Sequence, residues 1–205
     1  MAAVLISAST QMQTFFCAGL LGLDAAGALR AVQIVILPMV QTTTAIATLM
    51  LPYLCNEHAR GQMHLLRTRG VMLTFGLSGI AAAYELFLLL TSRQLEAVLY
   101  GGKMAAYSWL IPILGLVPIF TALSTGYSLI LRAAEKPQHF LIVGATTAPL
   151  SIISGVVFTR AWGLGGTTAS IVLASAVSAL ITYLLCRSWV LKRTAGSINY
   201  SESVA

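Results

Sequence analysis

The chain has 205 residues, 58% of them hydrophobic and only 9% charged, with a net charge of +6. A soluble domain carries about 25% charged residues, so this composition excludes a surface that faces water throughout. The positive charges stand singly between apolar blocks and form no basic stripe, which excludes a nucleic-acid reader and assigns them to topology and headgroup contacts.

A helix that crosses the hydrocarbon layer needs roughly 20 apolar residues. Charges cut this sequence into blocks of that size. Met1 to Leu23 and Ala31 to Asn56 contain no charge, and Val71 to Ser92 contains only Glu85. Met104 to Leu131, Phe140 to Thr159 and Ala161 to Cys186 again contain none. The sequence predicts an all-α, polytopic transmembrane bundle of about six helices near 3–23, 26–54, 70–92, 106–132, 139–160 and 165–187. Residues 1–187 form the transmembrane lobe, and 188–205 a polar tail expected to be unstructured. No basic stretch precedes the first apolar run, so it reads as a span rather than a cleaved leader.

Lys and Arg set the orientation. Arg60, Arg67, Arg69, Arg132, Lys136, Arg187, Lys192 and Arg193 fall on one side. Arg30, Arg93, Lys103 and Arg160 fall on the other. The excess predicts both termini in the cytoplasm and a multi-pass protein of the inner or plasma membrane. Trp109 and Trp162 then mark the outer interface and Trp189 the inner one. Pro38, Pro112, Pro118 and Pro149 lie within spans, where each removes a hydrogen bond and bends the rod.

Polar residues inside the spans carry the functional signal. In the second span Arg30, Gln33, Gln41, Thr44 and Thr48 share one helical face. Ser7, Gln11 and Thr14 share a face of the first span, and Thr74, Ser78 and Glu85 one of the third. The fourth carries Thr121, Ser124, Thr125 and Ser128. Amides and charges in hydrocarbon are costly unless paired or wet, so these faces are expected to point inward. Hydroxyls alone are ordinary glue between membrane helices, and the run Thr168, Ser175, Ser178 and Thr182 reads as glue. The stripe of Arg30, Gln33 and Gln41 exceeds what packing needs and reads as a cavity wall. Arg30 has two further readings: its side chain can snorkel to the interface, or it can pair with Asp24, which otherwise caps its helix. A cavity-facing arginine offers a planar fork suited to phosphate. Glu85, about 10 Å from the outer end of its span by helical rise, reads as an ion- or proton-coupling group, a partner for Arg30, or a residue near the interface without a function.

No catalytic or metal constellation is visible, and no cofactor is expected. His58, His64 and His139 lie between spans without paired carboxylates. Cys17, Cys55 and Cys186 have no metal-ligand or disulfide spacing. Gly163, Gly165 and Gly166 read as a tight turn between the last two helices.

The stretch GLLGLDAAGALRAVQIVILPMVQTTTAIATLMLPYL, Gly19 to Leu54, resembles the seventh-to-eighth helix region of polysaccharide-type flippases of the multidrug/oligosaccharidyl-lipid/polysaccharide exporter superfamily. Gly27, Arg30, Ala31, Gln33, Pro38 and Pro52 carry the likeness. LRAAEKPQ, Leu131 to Gln138, resembles the basic loop after the tenth helix, and GLGGTTASIVLASAVSALITYLLCR resembles the last turn and helix. The resemblance spans nearly the whole chain but matches only the second of two six-helix lobes. It implies one lobe of a flippase that moves undecaprenyl-diphosphate-linked oligosaccharide between leaflets for surface polysaccharide synthesis. Its partners would be membrane lipid, the lipid-linked glycan and a second six-helix lobe, either an N-terminal half or another copy of the chain. Arg30 falls where related lipid flippases place a cavity-facing arginine, with Gln11, Gln33, Gln41 and Thr44 around it and Glu85 as the coupling candidate. Two alternatives are a cation-coupled multidrug exporter of the same superfamily and a non-transporting subunit or truncated half.

Overall fold

The computed structural model describes residues 2–100, 109–134 and 138–202, with side chains for 12–92, 94, 109–134 and 142–188. Every element is a helix: α1 (Ala2–Leu21), α2 (Leu23–Ala59), α3 (Met63–Tyr100), α4 (Leu110–Leu114), α5 (Leu116–Ala133) and α6 (Gln138–Glu202). The protein is an all-α bundle. Four stretches are long and apolar enough to cross a membrane, namely Leu23–Ala59, Met63–Ser92, Leu110–Ala133 and Ile142–Ser188. Large apolar side chains such as Phe15, Leu23, Met72, Phe75, Leu90 and Ile153 are exposed around the outside. A lipid layer, unlike water, accommodates such a surface, and the coarse reading of a membrane-embedded protein fits it.

Two breaks in regular helix shape the bundle. Ile142–Ser188 is 47 residues, or about 70 Å at the helical rise, roughly twice what one crossing needs. Gly163 divides it with φ 59° and ψ −136°, a conformation closed to residues with a Cβ. Thr159 and Thr167 hydroxyls meet at 2.8 Å across this turn, so the two arms of α6 fold back on each other as a hairpin. The second break lies at Gly115, between α4 and α5. Its backbone stays helical, with φ −64° and ψ −16°, but Pro118 has no N–H to offer the carbonyl of Leu114. The α4–α5 pair is therefore one interrupted rod. With α1, α2, α3 and the two arms of α6, it makes six rods among the described residues.

Helices run further than charge alone suggests. The third begins at Met63, not near 70, and includes Arg67 and Arg69; the second continues to Ala59. Charges interrupt an apolar run, but Arg and Lys are good helix formers and do not stop the helix. The backbone also stays helical past Ser188 to Glu202, where an unstructured tail was expected. Two of the connections are short. Gly22 alone, at φ 91°, separates α1 from α2, and Arg60 to Gln62 separate α2 from α3, with Gly61 at φ 74°.

The tightest seam joins α3 to α5. A Cβ on Gly126 would collide with Thr74, one on Gly115 with the carboxyl of Glu85, and one on Gly70 with Ile130. Eleven residues separate Thr74 from Glu85 and eleven separate Gly115 from Gly126, so the antiparallel pair keeps one register along its length. Small residues allow this approach, and van der Waals contact supplies the attraction that water cannot supply in lipid. Apolar clusters close each end. Cys17, Leu29, Leu88, Leu110 and Leu114 pack at one end, and Leu54, Leu66 and Leu129 at the other.

Side-chain hydrogen bonds tie the remaining rods. Ser124 meets Ser178 and Thr182 at 3.3 Å between α5 and the second arm of α6, the adhesive role expected for that run. The buried amide of Gln13 donates to Ser151 Oγ at 2.6 Å, joining α1 to the first arm. Interhelical bonds of this kind average about 0.6 kcal/mol in membranes, with a maximum near 1.7. Ser151→Ala leaves the Gln13 amide a longer contact with the Ser151 carbonyl at 3.5 Å. The expected result is a loss of about 1 kcal/mol, read as a small fall in the thermal midpoint of the purified protein.

Candidate functional site

The polar stripe of α2 does not face the other rods. Arg30, Gln41, Thr44 and Thr48 are exposed and Gln33 is half-buried, while Ala28, Leu29, Val32, Ile36, Met39, Thr43 and Ala47 turn into the bundle. The inward orientation expected for this stripe is therefore not what the structure shows. The mostly apolar side chains on the opposite face of the helix fill the space against α1, α3 and α5. The stripe forms an outer face of the lobe, about 16 Å long from Arg30 to Gln41 by helical rise.

The groups along it differ in how they are satisfied. Arg30 donates to the Gln33 side-chain carbonyl at 3.3 Å. It forms no ion pair with Asp24 or Glu85; among the described residues the one ion pair joins Arg69 to Glu57. Asp24 stands in the first turn of α2, where the helix dipole favours a carboxylate, but the capping position is Gly22 and no side chain caps it. Thr44 donates to the Val40 carbonyl at 2.9 Å and Thr48 to the Thr44 carbonyl at 2.9 Å. Thr42 and Thr43 bond backward in the same way to Pro38 and Met39. The threonines are thus closed on their own helix. Along this stripe Gln41, the amide N–H groups of Gln33 and the remaining guanidinium N–H groups of Arg30 are the donors not taken up by another described residue. The side chain of Gln11 lies outside the described residues, as do those of Ser7 and Trp189. Of the interface markers, Trp109 and Trp162 are both exposed at the end of the bundle that carries Arg30 and Arg160.

The polar residues of α3 behave differently. Thr74 is fully buried and Glu85 is 5% exposed. Thr74 donates to the Gly70 carbonyl and Ser78 to the Thr74 carbonyl, both at 2.8 Å. Glu85 sits over Gly115, and its Oε2 is buried without a hydrogen-bond partner. The next residue back, Tyr84, donates from its phenol to the Val35 carbonyl of α2 at 2.7 Å. Val35 lies three residues before Pro38, whose ring disturbs the carbonyls of the preceding turn. Tyr84 therefore supplies a donor to the bend of α2 from the helix beside it. No pattern in the sequence marked Tyr84, because aromatic residues in apolar helices are common and its partner is a backbone atom. Gln13 was missed for a related reason: it is isolated on α1, away from the Gln11 face.

No group of three or more His, Cys, Asp or Glu able to hold a metal occurs among the described residues. No family model, curated protein or solved structure matches the chain.

Proposed function

We propose that the chain is one lobe of a transporter that carries diphosphate-linked oligosaccharide lipids across the cytoplasmic membrane, with both termini in the cytoplasm. The observation that carries this reading is the outward-facing stripe of Arg30, Gln33 and Gln41 on an otherwise apolar spanning helix. A guanidinium and two amides presented to acyl chains would be costly, so the face calls for a wet groove closed by a second lobe. Such a groove suits a headgroup that is polar while its tail stays in lipid. In this reading Arg30 holds the diphosphate through paired N–H donors, and Gln33 and Gln41 bond sugar hydroxyls or water beyond it. Thr44, closed on Val40, offers only its oxygen lone pairs and lines the wall. The second lobe is another six-helix half, from the same polypeptide or from a second copy. The stripe's only charge is positive, which favours an anionic cargo over the cationic drugs of an exporter.

Arg30→Ala tests the assignment in cells that depend on the full transporter. A charge-assisted hydrogen bond is worth about 1.5–3 kcal/mol, so transport should fall about 10- to 100-fold, with protein level unchanged. Arg30→Lys should recover part of it, keeping the charge but losing the fork. Surface glycan at the wild-type level in Arg30→Ala cells would end the anchoring role.

A further inference from the structure

One buried carboxyl sits at a point where two rods are both weakened. Glu85 lies on α3, 5% exposed, with Oε2 lacking any hydrogen-bond partner. The space it occupies exists because residue 115 is glycine; a Cβ there would overlap the carboxyl. Gly115 is also the interruption between α4 and α5. On the other flank Tyr84 is bonded to α2 next to its proline bend. The carboxyl thus lies against the interruption of one rod, and the residue before it is bonded to a second rod near its proline.

The surroundings decide what this group can bind. A metal cation in an oxygen site needs about six oxygen ligands, and none is assembled here. The neighbours are Leu88, Leu110, Ile111 and Leu114 of the adjoining apolar cluster. α4 and α5 carry no titratable residue before Tyr127. On α2 the charged groups at this end are Asp24 and Arg30, both exposed. On α1 Cys17 is buried, and on α6 Arg160 is exposed. None of these forms an ion pair or hydrogen bond with Glu85.

We propose that Glu85 is a proton-exchange site whose occupancy sets whether the α3–α5 seam is closed. A neutral acid fits the glycine notch; an ionised one has no counter-charge there among the described residues and must reach water. In the exchange step the O–H bond of the acid breaks, the proton passes to water, and the carboxylate keeps the electron pair. Reaching water requires parting α3 from α4–α5 at Gly115, the position where the rod is already interrupted. The site stands on seam geometry and is independent of the nature of any cargo.

Infrared spectra of the purified full chain in lipid read the site without a substrate. The expected result is a protonated-carboxyl C=O band at neutral pH that Glu85→Gln abolishes and Glu85→Asp retains. Absence of any band that Glu85→Gln removes would overturn the proposal. The second arm reads the seam. Ala81, fully buried one turn from Glu85, is replaced by Cys in a chain with Cys17, Cys55 and Cys186 changed to Ala. Thiol labelling at position 81 should quicken several-fold as pH rises with Glu85 present, and should be flat with pH in Glu85→Gln. Equal pH dependence in both chains would show that Glu85 does not control the opening. Neither arm uses Arg30 or a glycan, so failure here and failure of the transport reading are separate results.

Discussion

Gly166→Ala is expected to pull apart the two arms of α6. A Cβ at 166 would overlap the backbone carbonyl of Phe158 on the facing arm. Backbone cannot turn away as a side chain can, so the arms must separate. Overpacking costs typically 1–3 kcal/mol, and with a carbonyl as the obstacle the upper end is expected. Gly165→Ala is the control. Its Cβ would lie 3.3 Å from a ring carbon of Trp109, a side chain with room to move at an exposed position. The thermal midpoint of the purified protein should fall markedly for Gly166→Ala and little for Gly165→Ala. Equal midpoints would mean that the hairpin is looser than the Thr159–Thr167 contact implies.

Gly126→Ala should be comparably damaging, for the seam between α3 and α5. The added carbon would meet Thr74 at its side chain and, at 2.8 Å, at its Cα. The expected loss is again about 2–3 kcal/mol. Gly70→Ala meets only the side chain of Ile130, so a second change, Ile130→Ala, should restore much of the loss. A coupling energy of about 0.5–3 kcal/mol in the double-mutant cycle would report the contact. Gly76→Ala and Gly79→Ala point into open space. There the better helix propensity of alanine should stabilise by about 0.5–1 kcal/mol. If all four substitutions behave alike in a thermal melt, the close approach of these two helices is not what holds them.

Much of the architecture was legible in the sequence because bilayer thickness converts charge spacing directly into crossings. The six rods, the glycine turn at 163 and the adhesive hydroxyls Ser178 and Thr182 of α6 all follow from such local arithmetic. Helix ends were less legible, since Arg67 and Arg69 break the apolar pattern without breaking the helix. The side of the bundle that each polar stripe faces was legible only in part: the α3 stripe is packed inward as expected, whereas the α2 stripe is not. Thr74, Ser78 and Glu85 and the stripe of Arg30, Gln33 and Gln41 each span eleven positions on one helical face, yet one is packed and the other mostly exposed. Periodicity says that residues share a face. It does not say which neighbour, or which water, the face will meet; that depends on where Gly70, Gly115 and Gly126 let α5 approach. Tyr84 and Gln13 were invisible for the same reason, because their partners are distant in sequence.

The threonines of α2 have a consequence for how the protein is made. Because Thr42, Thr43, Thr44 and Thr48 each satisfy a carbonyl one turn back, this segment reaches the insertion machinery with its hydroxyls already matched and needs no companion segment to shield them. What remains to be accommodated on leaving the aqueous channel is the face of Arg30, Gln33 and Gln41. The segment can therefore enter the bilayer with that one face still to be covered, and wait for the rest of the chain to assemble around its other side.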